Sequence, residues 1–428
     1  MKNDSATVMN LGLLGASMRL RIDSTTWTTL DGRPLKMEFK MFSGGRSESM
    51  TATFSDRVAS LTILNGGAVT KKQLPYPAGA QIVDDPLTVV LSGKMGVGTR
   101  RSFYVLDPTT ATFLKNEVKL VGPSTVMVAG KLKNATLIEI TDPRAVTQIY
   151  LSAKGDLIQA NAPMGIEMRP EPKALALGKA SPYSPRVDIA LATKLSTDKP
   201  ILNPGELISL GLRIEGPSLA SAPSDPFQTL TQDGKSWIVR IHPVQLNATE
   251  GVTRVALKGM QADWVKPSLN IPSDSPRFQK LAAQITSSQK QARSAAFAIR
   301  QYVYQAMRPN AGIGVLRDAS EVLDTKEGVC RDYAILTATL MRAAGIPCRL
   351  ASGLVNWDGD FFYHAWVEIY DGNQWIGVDS TTDRNQIAAN HIKLRDGNVD
   401  QAFTFTFLDK AKIFVLSQNL DSNAKDQG

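Results

Sequence analysis

The sequence predicts an α+β protein, an antiparallel β-rich front followed by a domain in which helices pack on an antiparallel sheet. Three observations carry this. Over residues 17–162 apolar and polar residues alternate in short runs broken by glycine turns, the period of half-buried strands. From Ser275 onward apolar residues recur three and four apart, the period of helices. Beyond Phe361 the strict alternation returns. At 428 residues the chain exceeds what one core organises, and we expect a β-rich domain over 1–184, a small β-rich connecting subdomain over 185–274 and a helix-and-sheet domain over 275–428.

Composition narrows the class. An apolar fraction of 43% with 21% charged residues belongs to a folded globular chain, not a disordered one. The excess of 48 basic over 40 acidic side chains is scattered, with no run that tracks phosphates, so no nucleic-acid partner is expected. Two cysteines cannot frame a disulfide scaffold, and three histidines leave little for a metal site. The apolar stretch at residues 8–18 is interrupted by Asn10 and Ser17 and is too short to span a bilayer. No transmembrane segment and no signal peptide are expected, which makes the chain periplasmic or secreted if its start is trimmed and cytoplasmic otherwise.

The clearest strand is Leu35-Lys36-Met37-Glu38-Phe39-Lys40-Met41, with one face for the core and one for water. Asn65-Gly66-Gly67 and Lys154-Gly155-Asp156 supply the positive backbone angles of hairpins. Pro163, Pro170, Pro172, Pro182 and Pro185 cluster into a boundary. Ser236–Ile241 and residues 252–257 read as strands of the connecting subdomain. Ser275-Pro276 is a cap-then-proline helix start. Phe278, Leu281 and Ile285, then Ala295, Ile299, Tyr302 and Val303, are the buried stripes of a helix pair.

Chemistry concentrates in Glu327-Gly328-Val329-Cys330-Arg331-Asp332-Tyr333-Ala334. Residues 330–344 are good helix formers and Gly345 with Pro347 stops a helix, so Cys330 opens one. Unpaired N–H groups and the positive end of the helix dipole favour a thiolate there. A lone cysteine is more often a small core hydrophobe than a nucleophile; its weight comes from the residues downstream. Residues 361–370 alternate, with Phe362, His364, Trp366 and Glu368 on one face and Phe361, Tyr363, Ala365, Val367 and Ile369 on the other. Asp371-Gly372 is a favoured two-residue hairpin turn and residues 374–379 read as the returning strand. That loop length sets His364 directly opposite Asp379, at about 5 Å between Cβ atoms, where a carboxylate can hold one imidazole nitrogen. For an isolated pair, a structural ion pair would explain the two residues equally well.

Together these words resemble the core of the transglutaminase-like superfamily: Gly328-Val329-Cys330 at the helix start, Arg342-Ala343-Ala344-Gly345-Ile346-Pro347-Cys348-Arg349 at its exit, His364-Ala365-Trp366-Val367-Glu368 on a strand, then Trp375 and Asp379-Ser380-Thr381. The resemblance covers about residues 277–382. It implies a papain-like transglutaminase core over 275–428, a cysteine-bearing helix packed on an antiparallel sheet, with a catalytic triad of Cys330 as nucleophile, His364 as base and Asp379 as its orienter. Ser380 stands where the family often has proline, and Cys348 where alanine is common and a small core residue suffices.

The activity implied is acyl transfer or hydrolysis at an amide bond of a protein or peptide through a thioester, leaning to a protease or amidase. A protein-glutamine crosslinker is the alternative, and a binding module with a relic core is the alternative of another class. The backbone N–H of Cys330 is the natural first oxyanion donor; Gln305 and Trp264 have the right donor type for a second, without a spacing argument. Acidic clusters like the calcium sites of animal transglutaminases are missing from the sequence, so neither cofactor nor metal is expected. The expected partner is a protein or peptide substrate. The β-rich front reads as recognition or control of access, with Trp27 a core aromatic beside the Asp31-Gly32-Arg33-Pro34 turn.

Overall fold

A computed structural model describes residues 1–428 apart from 14–15, 92–94, 164–165, 173–187, 245, 247–250, 314–315, 405–407, 409–410 and 421–428. The chain divides into two compact units, Met1–Ile189 and Ala190–Gly428. Pro182, Pro185 and the expected boundary at 184/185 lie outside the described residues.

The first unit is antiparallel sheet, as its alternating sequence requires. Strands β1 (Lys2–Leu13), β2 (Ala16–Thr28), β3 (Pro34–Ser43), β4 (Arg46–Phe54), β5 (Val58–Asn65) and β6 (Ala68–Pro75) form one six-stranded sheet in chain order. A second takes β7 (Arg100–Asp107), β8 (Thr112–Val128), β9 (Lys131–Thr141), β10 (Val146–Leu151), β11 (Leu157–Ala162) and β12 (Ile166–Met168), with the short helix α1 (Leu87–Leu91) preceding it. Met37, Phe39 and Met41 of β3 are buried as the alternation demands, but Leu35 is 45% exposed. The register shifts between the pairs Trp27/Lys36 and Thr28/Pro34, and Leu35 is the extra residue of that bulge. Strand β1 was hidden in sequence because Val8 interrupts the alternation of Met9, Leu11 and Leu13. Trp27 is half-buried and not a core residue; Lys36 Nζ lies 4.8 Å from its ring centre.

The second unit is layered. After α2 (Ile189–Thr193), its central sheet runs β13 (Leu195–Ser196), β20 (Asp360–Tyr370), β19 (Cys348–Trp357), β22 (His391–Gly397), with β21 (Trp375–Val378) also paired to β20. Helices α3 (Pro276–Ile285), α4 (Ala292–Ala306), α5 (Ala319–Thr325) and α6 (Cys330–Ala343) accompany it, with α7 (Val399–Ala402) after β22 and a parallel pair β17 (Arg308–Pro309) and β18 (Glu327–Gly328) before α6. Phe278, Ile299 and Val303 share a core with Ile335, Leu336 and Leu340 of α6 and with Ala365, Val367 and Ile369 of β20. A second core sets Trp366 among Leu210, Leu212, Ile214, Val239 and Ile241. Each such fully buried side chain contributes about 1.5–3 kcal/mol.

That second core comes from a four-stranded sheet of β15 (Gln228–Asp233), β16 (Ser236–Ile241), β14 (Leu207–Glu215) and β23 (Lys412–Leu420). The strands expected as a connecting subdomain thus share their sheet with the end of the chain and their core with β20, because a small sheet with one apolar face needs a partner layer. Residues 252–257, expected as a strand, form turns and a single bridge from Thr253 to Gln291. Their apolar spacing serves packing instead: Leu257 is buried, and Arg254 donates to Thr286 Oγ1 at 2.8 Å. The helix start is as expected, with Ser275 at the N-cap and Pro276 first in α3. No helix among the described residues is long and apolar enough to cross a membrane.

Between these layers lies a buried charge cluster. Lys393 is fully buried, its Nζ 2.7 Å from Glu368 Oε1 and also paired with Asp225, while Arg349 Nη2 lies 2.6 Å from Glu368 Oε2. Removing one member of such a set strands an uncompensated charge. Lys393→Met is expected to destabilise this unit by about 3–5 kcal/mol in urea unfolding. Tryptophan fluorescence reports the loss, because Trp237, Trp264, Trp357, Trp366 and Trp375 all lie in this unit; an unchanged midpoint would mean the cluster is solvated.

Candidate active site

Cys330 is the first residue of α6, and a buried ion pair holds that end of the helix. Arg317 and Asp332 are fully buried, with Arg317 Nε 3.2 Å from Asp332 Oδ1. Asp332 Oδ2 accepts from the Val329 N–H at 2.9 Å, satisfying a donor at the helix entry. Arg317 further donates to Thr325 Oγ1 at 3.0 Å and to the carbonyl of Glu327. No room remains at Gly328, where a Cβ would stand 2.5 Å from both Arg317 Nη2 and Asp332 Oδ2. The glycine of Gly-x-Cys is therefore a spatial requirement here.

His364 is carried by β20. Strand β21 pairs with residues 367–370 of β20 and β13 with residues 360–361, so residues 362–366 lie outside both ladders on that edge. Into this gap the start of α6 delivers its sulfur: Cys330 is hydrogen-bonded to His364 and to the backbone of Ala365. A continuous edge would have used that backbone N–H in a ladder.

Asp379 reaches His364 by a different register from the one expected. Tyr370 pairs with Trp375, not Asn373, so the hairpin loop holds the four residues 371–374. Asp371 is the cause: its carboxylate accepts from the N–H groups of Asn373 and Gln374, each at 3.0 Å, and pairs with Arg293 at 2.7 Å. A shift of two is a full strand period, so Asp379 stays on the face of His364 while moving to the diagonal position, past the last pair Val367/Val378. His364 Nε2 lies 2.8 Å from Asp379 Oδ2. The residues after β21 are held from several sides. Thr381 donates from its N–H and Oγ1 to Asp379 Oδ1, each at 2.8 Å, and Arg300 of α4 donates to the Thr382 carbonyl at 3.0 Å. Ser380 Oγ lies 2.7 Å from Thr337 Oγ1 of α6, a contact that proline at 380 would not make.

Burial and charge compete at each member of the site. Burial would keep the Cys330 thiol neutral, but the hydrogen bond and charge of His364, with the Ala365 N–H and the Arg331 charge, outweigh it and set the thiol below its ordinary value. Burial likewise opposes a charged His364, yet Asp379 and Cys330 raise it to about 10. Burial of Asp379 is outweighed by the charge and hydrogen bond of His364, which hold the carboxyl far below the usual carboxylate range. A lowered thiol beside a raised imidazole shifts the balance of the pair toward thiolate and imidazolium. Because Nε2 of His364 serves Asp379, Nδ1 is the nitrogen left for the sulfur.

Other neighbours were less legible. Trp366 stacks on His364 with ring centres 6.3 Å apart and planes 17° apart. His391 opens β22 and brings Nε2 to 3.8 Å from Asp379 Oδ2. His364, Asp379 and His391 each offer a ligand atom within 4.8 Å of the others, a metal-like spacing, but Nε2 of His364 is engaged with the carboxylate. Arg317, too, carries no local sequence signal of its role. Cys348 is fully buried, and burial pushes its thiol up to about 12, as for a core residue. Trp264 packs on Trp375 and lies 5.9 Å from the Arg342 guanidinium. Arg342 is twelve residues along α6 from Cys330, about 18 Å at 1.5 Å per residue, so the contacts of Trp264 are with the far end of that helix.

Residues 279–380 match the family model described as the Transglutaminase-like superfamily. A protein-glutamine gamma-glutamyltransferase of Pseudomonas aeruginosa is 31% identical over 123 residues, 25% of this chain and 18% of that protein. An uncharacterized protein of Mycobacterium leprae is 33% identical over 78 residues, 16% of this chain and 28% of that one. The chain thus spans well under a third of the length of either relative. A solved structure from Cytophaga hutchinsonii, provisionally named a cysteine protease, is 22% identical with a TM-score of 0.34, covering 50% of this chain and 86% of that one. The likeness to the transglutaminase-like superfamily is carried by residues 279–380, about a quarter of the chain.

Proposed function

We propose that Cys330, His364 and Asp379 are a catalytic triad for acyl transfer at an amide bond of a protein or peptide, with water as the acceptor. The reading rests above all on one observation: the sulfur, the imidazole and the carboxylate form a hydrogen-bonded chain that lowers the thiol and raises the imidazole. The thiolate attacks the carbonyl, the Cys330 N–H at the start of α6 meets the developing oxyanion, and the amine leaves with the proton of His364 Nδ1. Water, giving its proton back to His364, then hydrolyses the thioester. Asp379 keeps the ring oriented and the imidazolium stabilised through both steps. A second reading, transfer to a primary amine, is favoured by the likeness of the core to a relative named a protein-glutamine gamma-glutamyltransferase. The β-rich domain is assigned to recognition of the protein substrate or control of its access.

Iodoacetamide is expected to label Cys330 stoichiometrically well below the ordinary thiol range of about 8.5, and His364→Ala to slow that labelling about a hundredfold at neutral pH. Equal, slow labelling of both proteins would favour a binding module with a relic core. Turnover is expected to fall as pH rises through about 10, where His364 loses the proton it gives the leaving amine, while alkylation persists. The raised value also has a sign for stability: the His364 pairing contributes fully below 6.5, the ordinary imidazole value, and its contribution is lost as pH rises through about 10. Mass spectrometry of a glutamine-containing peptide with a primary amine, using the intact protein and Cys330→Ala, separates the acceptors. Cleavage or deamidation supports water, an amine adduct supports crosslinking, and no sulfur-dependent mass change sinks both.

A further inference from the structure

His391 is 4% exposed and lies beside His364 and Asp379, with its ring centre 5.9 Å from that of His364 and 5.1 Å from that of Trp366. Its tautomer is fixed by two carboxamide contacts. Asn390 Nδ2 donates to the Asn356 carbonyl at 3.0 Å, and a carbonyl only accepts, so Asn390 turns its oxygen to His391. That oxygen lies 2.8 Å from Nδ1 of His391, which therefore carries the proton in the neutral ring. The other nitrogen, Nε2, is then a lone pair. It is buried, has no hydrogen-bond partner among the described residues, and stands 3.8 Å from Asp379 Oδ2, the oxygen that also holds His364.

The titratable groups facing His391 are Asp379, beyond the end of β21, and His364 on β20; from its other sides it meets Trp366, Asn390 and the Ala388 carbonyl, all uncharged. Neutral, it presents a lone pair to a carboxylate and makes no bond. Protonated, Nε2 becomes a donor within easy reach of the same oxygen, and a second imidazolium appears beside His364. Resting on the acyl-transfer reading, we propose that His391 is a positioning residue that gates the site: uncharged it leaves Asp379 to His364, and when it takes up a proton at Nε2 it claims that carboxylate and disables the cysteine. His364, no longer held by the carboxylate, then loses its orientation toward the sulfur without any change in Cys330 itself. Burial, aided by the charge of His364 and opposed by Asp379, lowers the basicity of His391, so the gate closes on the acid side of neutrality and stays open at pH 7.

The test is the pH profile of Cys330 alkylation by iodoacetamide in the full chain, in His391→Phe and in His391→Gln. Phenylalanine keeps the ring against Trp366 and cannot charge. Wild-type reactivity is expected to fall in one acid step, and His391→Phe to move that step down, raising the rate at about pH 5 relative to pH 7.5 by about tenfold, one pKa unit of linkage. A merely structural role would lower rates at all pH values and leave the step in place. Nitrogen-15 NMR of the unsubstituted protein, which has only three histidines, gives a check independent of folding in the variants. One ring other than His364 should be neutral with the proton on Nδ1 at pH 7 and should charge at the pH where reactivity falls. If Cys330 is reactive at neutral pH but neither variant moves the step, or the His391 titration lies apart from it, the gate is overturned and the triad stands. If Cys330 is unreactive at neutral pH in the wild type, both fall.

Discussion

The entry to α6 depends on the Arg317–Asp332 pair. A helix start exposes N–H donors, and burying one requires an acceptor that brings no unpaired charge. Asp332 accepts from Val329, and Arg317 neutralises it while tying down the Glu327 carbonyl and Thr325. Desolvation offsets most of what two buried charges gain from each other, so the pair adds little to net stability. What it supplies is a single conformation for the turn before Cys330, with glycine at 328 as a condition of fit.

From that fixed end the sulfur meets a strand where its edge is open. The interruption between β13 and β21 gives Ala365 a free backbone donor and puts His364 beside it, so one short segment of β20 supplies both a hydrogen bond and the imidazole. The same strand is covered on both faces, by α6 and its helical neighbours on one and by the β14–β16 layer on the other. Burial of this kind disfavours every charge in the site taken singly. It strengthens the attraction among them taken together, since the interior screens it less than water does. The displaced values of Cys330, His364 and Asp379 are three expressions of one coupled charge arrangement.

Asp379 is the member with most support behind it. Thr381 closes on it, Arg300 of α4 holds the next turn, and the hydroxyl pair of Ser380 and Thr337 ties it to the middle of α6. The helix that carries Cys330 and the loop that carries Asp379 are thereby joined by a contact other than the His364 bridge. Such redundancy fixes the carboxylate that His364 pairs with, so that a single lost contact does not displace it.

The sequence by itself determined what depends on local period and local chemistry: the alternating strands of the front, the helix pair after Ser275, the helix opening at Cys330, and the three residue types of the site on their elements. It also determined the face of Asp379, since a strand returns to the same face every two residues whatever the loop length. It did not determine the register, because Asp371 capturing the N–H groups of Asn373 and Gln374 depends on Arg293 arriving from α4. Only the tertiary structure decided that residues 207–241 build a layer over β20 with the distant β23, that Arg317 underlies the cysteine turn, and that His391 stands behind Asp379. Those relations join residues tens to hundreds of positions apart, and period and propensity act over a few neighbours, so no local pattern can encode them.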